Sequence, residues 1–184
     1  MKLKIFHVYT NFYPVFGGIE SFIYQSSKEL VKKGYDITVV TSNKMPTSNK
    51  KLPSSQIVDG IKIRRFPFKK ISRYSTSIEA LKFIIKSDFD ILHIHNLGFF
   101  SDAIPLIKLN TRKKVVLSTN GGIFHTEVFM PIKRIYFKTM VKIASNFVDK
   151  IIAVSDQDRK FMEKIADKKK IAVIRNGIDW RSRS

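Results

Sequence analysis

LKIFHVYTNFYPVFGGIES, residues 3–21, sets a short apolar run ahead of an aromatic loop, two adjacent glycines and the first acid of a helical pattern. The run Lys4–Tyr9 reads as a strand buried on both faces. From Ile19 to Lys33 the residues Ile19, Phe22, Ile23, Leu30 and Val31 share one helical face. Strand, glycine turn and helix form the opening unit of a parallel α/β sheet. Gly17 and Gly18 lack a Cβ, so backbone there approaches a ligand closely and reaches positive φ. The free N–H groups and the dipole of the following helix favour an anion. A tight turn without a ligand accounts for the same pair. The dinucleotide fingerprint is not met, because no Gly stands at 20 or 22. The Gly-Lys-Ser/Thr phosphate loop is also missing, which argues against an ordinary NAD enzyme and a P-loop ATPase.

Outward from this stretch the same alternation repeats. Further strands are expected at Asp36–Thr41, Ile61–Phe66, Ile91–His95, Lys114–Thr119, Ile151–Ser155 and Ile171–Ile174. Helical patterns cover Ser77–Lys86, Pro131–Phe147 and Asp156–Ile165. Repeated strand–helix–strand units predict a doubly wound, mostly parallel, Rossmann-like α/β sheet. One domain is expected to fill residues 1–184. Thr47–Gln56 reads as a polar loop, followed by a turn at Gly60. In such sheets ligands bind outside the carboxyl ends of the strands. The loops of interest are therefore Thr10–Gly18, Thr41–Met45, Asn96–Phe100, Asn120–His125, Ser155–Asp158 and Arg175–Asp179.

Composition narrows the classes. An apolar fraction of 43% supplies a sizeable core. The absence of Cys excludes a disulfide framework and a thiolate metal site, and fits a reducing compartment. The N-terminus has no signal-peptide pattern, and no run of about 18 apolar residues occurs. The expected location is cytoplasmic, with peripheral contact at the inner face of a membrane. Against 15 Asp and Glu stand 34 Lys and Arg, a formal net charge of +19. Such a field attracts polyanions: nucleic acid, anionic lipid or phosphorylated substrates. No helix-turn-helix, RNA-binding aromatic pair or zinc finger is present, so nucleic acid is not the expected partner.

Several side chains sit where chemistry is expected. Glu20 falls in the first helical turn, where it complements the helix dipole. His93 and His95 in DILHIHN lie on one face of their strand. Two His on a strand can begin a metal site. No Cys exists and no carboxylate stands at a matching spacing, so no metal is expected. One His is read as buried and hydrogen-bonded, the other as lining a cleft. LSTNGGIFH repeats the opening theme with Asn120, Gly121, Gly122 and His125. Asn120 is placed to hydrogen-bond a substrate. His125 is either an acid/base or phosphate contact, or a surface histidine. Ser155 and Asp158 read as a capping box with Asp in place of Glu. In Pro131–Asp149, Arg134, Lys138 and Lys142 form a basic stripe beside Ile132, Ile135, Tyr136, Met140, Ile143 and Phe147. That pattern suits a surface helix packed on the core or one lying on an anionic membrane.

FYPVFGGIE, ELVKKGYDITVVTS, DILHIHN, VVLSTNGGIFH, DKIIAVSDQDRKFM and IAVIRNGID, taken in order along the whole chain, resemble the N-terminal domain of family 4 (group 1) retaining glycosyltransferases of GT-B fold. The resemblance implies an acceptor-side domain facing a donor-binding domain that carries a glutamate pair. It implies a nucleotide-sugar cosubstrate with no further cofactor, and a glycan or lipid-linked acceptor. Gly17, Gly18, Glu20, His93, His95, Gly121, Gly122 and Asn176 are then expected at substrate, and Asn120 and His125 at the reacting centre. The family usually has His where Asn120 stands. WRSRS after NGID does not resemble the family's continuation, so the donor domain is expected to be missing from this chain. Three readings stay open: a truncated product inactive alone, a subunit pairing with a separate donor-domain chain, and a domain excised from an intact transferase. The competing class is a non-catalytic basic domain for anionic membrane or nucleic acid.

Overall fold

The computed structural model describes residues 2–48, 50–71, 74–120 and 134–175. Strand β1 (Lys4–Val8) lies inside the sheet and is buried along its length except at Lys4. Helix α1 (Gly18–Lys32) carries the chain back to β2 (Asp36–Ser42), which pairs with β1 in parallel register, Lys4 opposite Asp36. Gly34, at φ +90°, makes the turn after α1 in a conformation that costs other residues a steric clash. An antiparallel hairpin, β3 (Ser55–Val58) and β4 (Ile61–Phe66), closes this edge. A two-stranded ribbon follows, β5 (Lys69–Ile71) and β6 (Tyr74–Thr76), separate from the main sheet.

Beyond α2 (Ile78–Lys86) the chain crosses to the other side of β1 and enters β7 (Ile91–His95), with His93 opposite His7. Helices α3 (Phe99–Asp102) and α4 (Ile104–Thr111) lead to β8 (Lys114–Ser118). A π-helical turn, Phe137–Val141, runs into α5 (Lys142–Phe147). Strand β9 (Lys150–Ala153), helix α6 (Asp156–Met162) and β10 (Ile171–Val173) complete the order. The eight-stranded sheet runs β10-β9-β8-β7-β1-β2-β4-β3, parallel except for β3. All seven expected strands are present, two with the expected bounds and five with an end shifted by one or two residues.

Two cores flank the sheet. On one side Ile5, Ile37, Val39, Ile61 and Ile63 pack under Ile23 of α1. On the other, Phe6, Val8, Leu92, Ile94, Val115 and Leu117 meet Ile84 of α2, Ile104 and Ile107 of α4, and Val141. Strand order reverses between β1 and β7, and a crevice opens where the strands' carboxyl ends diverge.

The segment after Pro131 does not pack its expected apolar row on the core. The inward side chains are Phe137, Val141, Ala144, Ser145 and Val148. Ile135, Met140, Ile143 and Phe147 face out, 64%, 50%, 47% and 36% exposed. The π turn explains the change, because its i→i+5 spacing brings Ile135 into line with Met140, Ile143 and Phe147. An apolar row therefore stands outside, beside exposed Arg134, Lys138 and Lys142.

Candidate functional site

A cleft of about 470 Å³ lies at the carboxyl ends of β1, β2 and β7. Tyr9, Thr10 and Asn11 form its side at β1, and Ser42 and Lys44 its side at β2. His95, Asn96, Leu97 and Gly98 come from the end of β7. The β5–β6 ribbon supplies Lys70 and Tyr74 as an outer wall, with Phe68, Phe99 and Phe100 packed near it in tilted and edge-on ring contacts. Asn96 turns the chain at φ 79°, and its side-chain oxygen accepts from the Leu97 N–H at 2.9 Å. Gly98 follows at φ 150°, a region closed to most side chains. Both features let the backbone fold back at the cleft rim.

The wall is pinned by Asp102. Its carboxylate accepts from the Tyr74 and Tyr136 hydroxyls, each at 2.6 Å. Burial pushes the Asp102 carboxyl upward, while the two phenols and Ser101 oppose the shift. On the far side, the buried Arg65 guanidinium donates to the carbonyls of Tyr13 (2.7 Å) and Pro53 (3.2 Å) and to Gln56 Oε1 (3.0 Å). Arg65 thereby ties the Tyr13–Ser21 loop to the hairpin edge.

In that loop, Gly17 is the residue before α1 and is extended at φ −151°. Neither Gly17 nor Gly18 takes a positive φ, which corrects the expectation of left-handed backbone. Gly17 is favoured for another reason: an added Cβ stands 2.5 Å from Glu20 Oε2, so the carboxylate has to move to admit it. Glu20 is buried in the first turn of α1, where the dipole favours it. It also helps raise the Tyr9 phenol, after burial, to about 12. Gly18 has open space where its Cβ belongs. Asn120 has a left-handed backbone, φ 48°, which Asn tolerates well. Its amide is buried with no hydrogen-bond partner for either atom among the described residues. Gly121, Gly122, His125 and Asn176 lie outside the described residues.

Ser155 caps α6, accepting from the Asp158 N–H at 3.1 Å. Asp158 does not complete the box. Its carboxylate accepts from the Thr119 hydroxyl and from the Val154 N–H (3.1 Å), so it braces the residue beside Asn120.

His93 and His95 share a face as expected, and both are hydrogen-bonded, His95 buried and His93 partly buried. His93 Nε2 meets Ser118 Oγ at 2.7 Å. His95, which also lines the cleft, meets His7 Nδ1 through Nε2 at 2.9 Å. His7, directly across from His93 on β1, is the partner that sequence spacing did not offer. Burial holds all three imidazoles neutral, with His7 lowered to about 4 and the other two well below their usual value. One nitrogen from each of the three lies within 4.8 Å of the others, so a third metal-ligating side chain is at hand after all.

The model of Glycosyltransferase Family 4 matches residues 16–181. A GDP-mannose:cellobiosyl-diphosphopolyprenol alpha-mannosyltransferase of Komagataeibacter xylinus is 33% identical over 178 residues, 96% of this chain and 44% of the relative. An enzyme of the same description from Xanthomonas oryzae pv. oryzae is 30% identical over 179 residues, 96% of this chain and 47% of its own length. The chain thus spans about half the length of the curated relatives it matches. Among solved structures, a glycosyltransferase from Rickettsia africae superposes with TM-score 0.60 at 19% identity, covering 96% of this chain and 44% of that one. A sucrose-phosphate synthase segment from Thermosynechococcus elongatus gives TM-score 0.61 at 14% identity, covering 97% and 92%. These likenesses bear on the fold.

Proposed function

Taking as premise that the chain belongs to glycosyltransferase family 4 and is the N-terminal part of a GT-B enzyme, we propose that it forms the acceptor side of a retaining sugar-transfer cleft. The reaction moves a sugar from a nucleotide-sugar to an acceptor hydroxyl. It needs a donor-binding domain, on the same polypeptide or on a partner. The cleft at the β1–β7 crossover carries this reading, because it combines aromatic faces with two cations. Phe68, Tyr74 and Phe99 offer stacking surface for a sugar ring, and Lys44 and Lys70 suit a phosphorylated acceptor. The relatives act, by their names, on a diphosphopolyprenol-linked disaccharide. A lipid-linked diphosphate acceptor fits the lysines here.

The Gly17–Gly18 loop then faces the donor's diphosphate, whose departing charge the N–H groups at the start of α1 stabilise. Asn120, and with it Gly121, Gly122, His125 and Asn176, completes the sugar site. The outward row Ile135–Met140–Ile143–Phe147, flanked by basic residues, rests on an anionic membrane that holds the acceptor. Among the described residues no helix is long and apolar enough to cross a membrane.

The test supplies the chain with and without a family donor domain to a panel of sugar nucleotides and a diphospholipid-linked oligosaccharide. Transfer with retention, dependent on both components, is expected. Salt-steep binding of duplex DNA with no transfer under any pairing overturns the reading in favour of a non-catalytic basic binder.

A further inference from the structure

We propose that His7, His93 and His95 form a three-imidazole binding site for a borderline-soft divalent cation of the zinc class, at the floor of the cleft between β1 and β7. The three come from two neighbouring parallel strands, so the sheet itself fixes their backbone positions. His7 and His93 are opposite one another in register, and His95 follows two residues later on the same face. The ring centroids of His93 and His95 are 4.0 Å apart, and each lies 5.2 Å from that of His7.

The donor spacing suits tetrahedral coordination. Zn–N bonds of about 2.0–2.1 Å separate neighbouring ligand nitrogens by about 3.4 Å. His7 Nδ1 and His95 Nε2 stand 2.9 Å apart, a little under that value, and one nitrogen from each of the three lies within 4.8 Å of the others. Small side-chain rotations within the cluster close the difference. The cluster has no carboxylate among its hydrogen-bond partners, and its direct partner outside is Ser118. It is therefore not an ion pair. Without a cation, one N–H···N bond joins His7 to His95, and His93 turns its Nε2 to Ser118. His7 Nε2 and His95 Nδ1 are buried with no hydrogen-bond partner, so hydrogen bonding satisfies only part of the cluster.

Ligand chemistry sets the class of ion. An all-imidazole donor set suits Zn²⁺, Co²⁺, Ni²⁺ or Cu²⁺ and disfavours Mg²⁺ and Ca²⁺, which require oxygen. His95 lines the cleft, so the fourth coordination position opens toward it. A bound dication cross-links β1 to β7 and adds positive charge beneath the cleft. The inference stands independently of the transferase reading, since it uses only the trio.

The full chain, stripped with chelator, is titrated with Co²⁺ and followed by visible absorption. The expected result is one Co²⁺ per chain with bands of tetrahedral intensity, displaced by Zn²⁺ and unaffected by Mg²⁺. The sequence contains four histidines and no Cys, so the control is clean. His125→Gln leaves the spectrum unchanged, while His95→Gln and His7→Asn each weaken Co²⁺ binding by at least about 100-fold. If either variant fails to fold, X-ray absorption of the wild-type Zn²⁺ complex decides. Three imidazole nitrogens in the coordination shell support the site, and two or fewer overturn it. Absence of stoichiometric binding by the wild-type chain, or its loss in His125→Gln, also overturns it.

Discussion

Gly17 and Gly18 differ in what an added methyl meets, and this separates folding from ligand contact. At Gly17 the methyl runs into the Glu20 carboxylate. Gly17→Ala is expected to swing Glu20 outward and cost about 1 kcal/mol, read as a lower melting temperature. At Gly18 the space is open, and Ala is the better helix residue by up to about 1 kcal/mol. Gly18→Ala should thus melt at the same temperature or slightly higher. Yet it should lower kcat/KM by about tenfold or more in the assembled enzyme, because the methyl stands where the donor approaches. Unchanged transfer would remove Gly18 from the donor site. Asn120 poses the converse question. His tolerates the left-handed backbone there, so Asn120→His is expected to fold normally. The added charged donor should raise transfer by about tenfold in the assembled enzyme, measured as kcat at saturating donor.

At the scale of elements, Arg65 is the bolt between the Tyr13–Ser21 loop and the hairpin edge. A lysine does not reproduce its fork. Arg65→Lys is expected to lose at least one of the bonds to Tyr13, Pro53 and Gln56 and about 2 kcal/mol of stability, seen as a lower urea midpoint. The π turn sets a second expectation. Ile143→Glu, in the middle of the outward apolar row, should reduce partitioning onto anionic vesicles by about tenfold without changing the circular dichroism spectrum. Strand β3 began inside what was read as the polar loop Thr47–Gln56, but the other seven strands of the sheet were legible in the sequence, because strands buried on both faces are continuous apolar runs bounded by turns. The ribbon β5–β6 was not, since KKI and YST are too short and polar to carry a period. Helix α4 was missed because IPLIKLNT places apolar residues on every side, leaving Leu106 and Leu109 exposed. The apolar row of the Pro131 segment was legible, but not that it faces outward, because the inward side chains Phe137, Val141 and Ala144 follow a π turn that the sequence does not signal. His7 was invisible as a partner of His95 because 88 residues separate them. Only the strand order brings them together.

Across the whole molecule, the neutral histidine trio sets the response to acid. His7 titrates near 4 when folded, against an ordinary value of 6.5. Between these values the unfolded chain takes up a proton that the folded chain refuses, so stability falls as pH drops from 6.5 toward 4 and is flat above 6.5. His7 alone accounts for a loss of about 3 kcal/mol at the acid end, and the lowered His93 and His95 act in the same direction. Urea unfolding at pH 7 and pH 5 in chelator-treated buffer checks this, with the lower midpoint expected at pH 5. An unchanged midpoint contradicts the buried neutral state. Asp102 has a different reach. One carboxylate holds Tyr74, in the wall of the cleft, and Tyr136, at the head of the outward apolar row. The two surfaces are joined by a single shared acceptor with four lone-pair sites to divide. The phenols bond different oxygens of it, Tyr74 at Oδ2 and Tyr136 at Oδ1, so a ligand that draws Tyr74 and turns the carboxylate also displaces the acceptor of Tyr136. Reciprocity then requires the converse: whatever engages the row changes affinity in the cleft by the same factor.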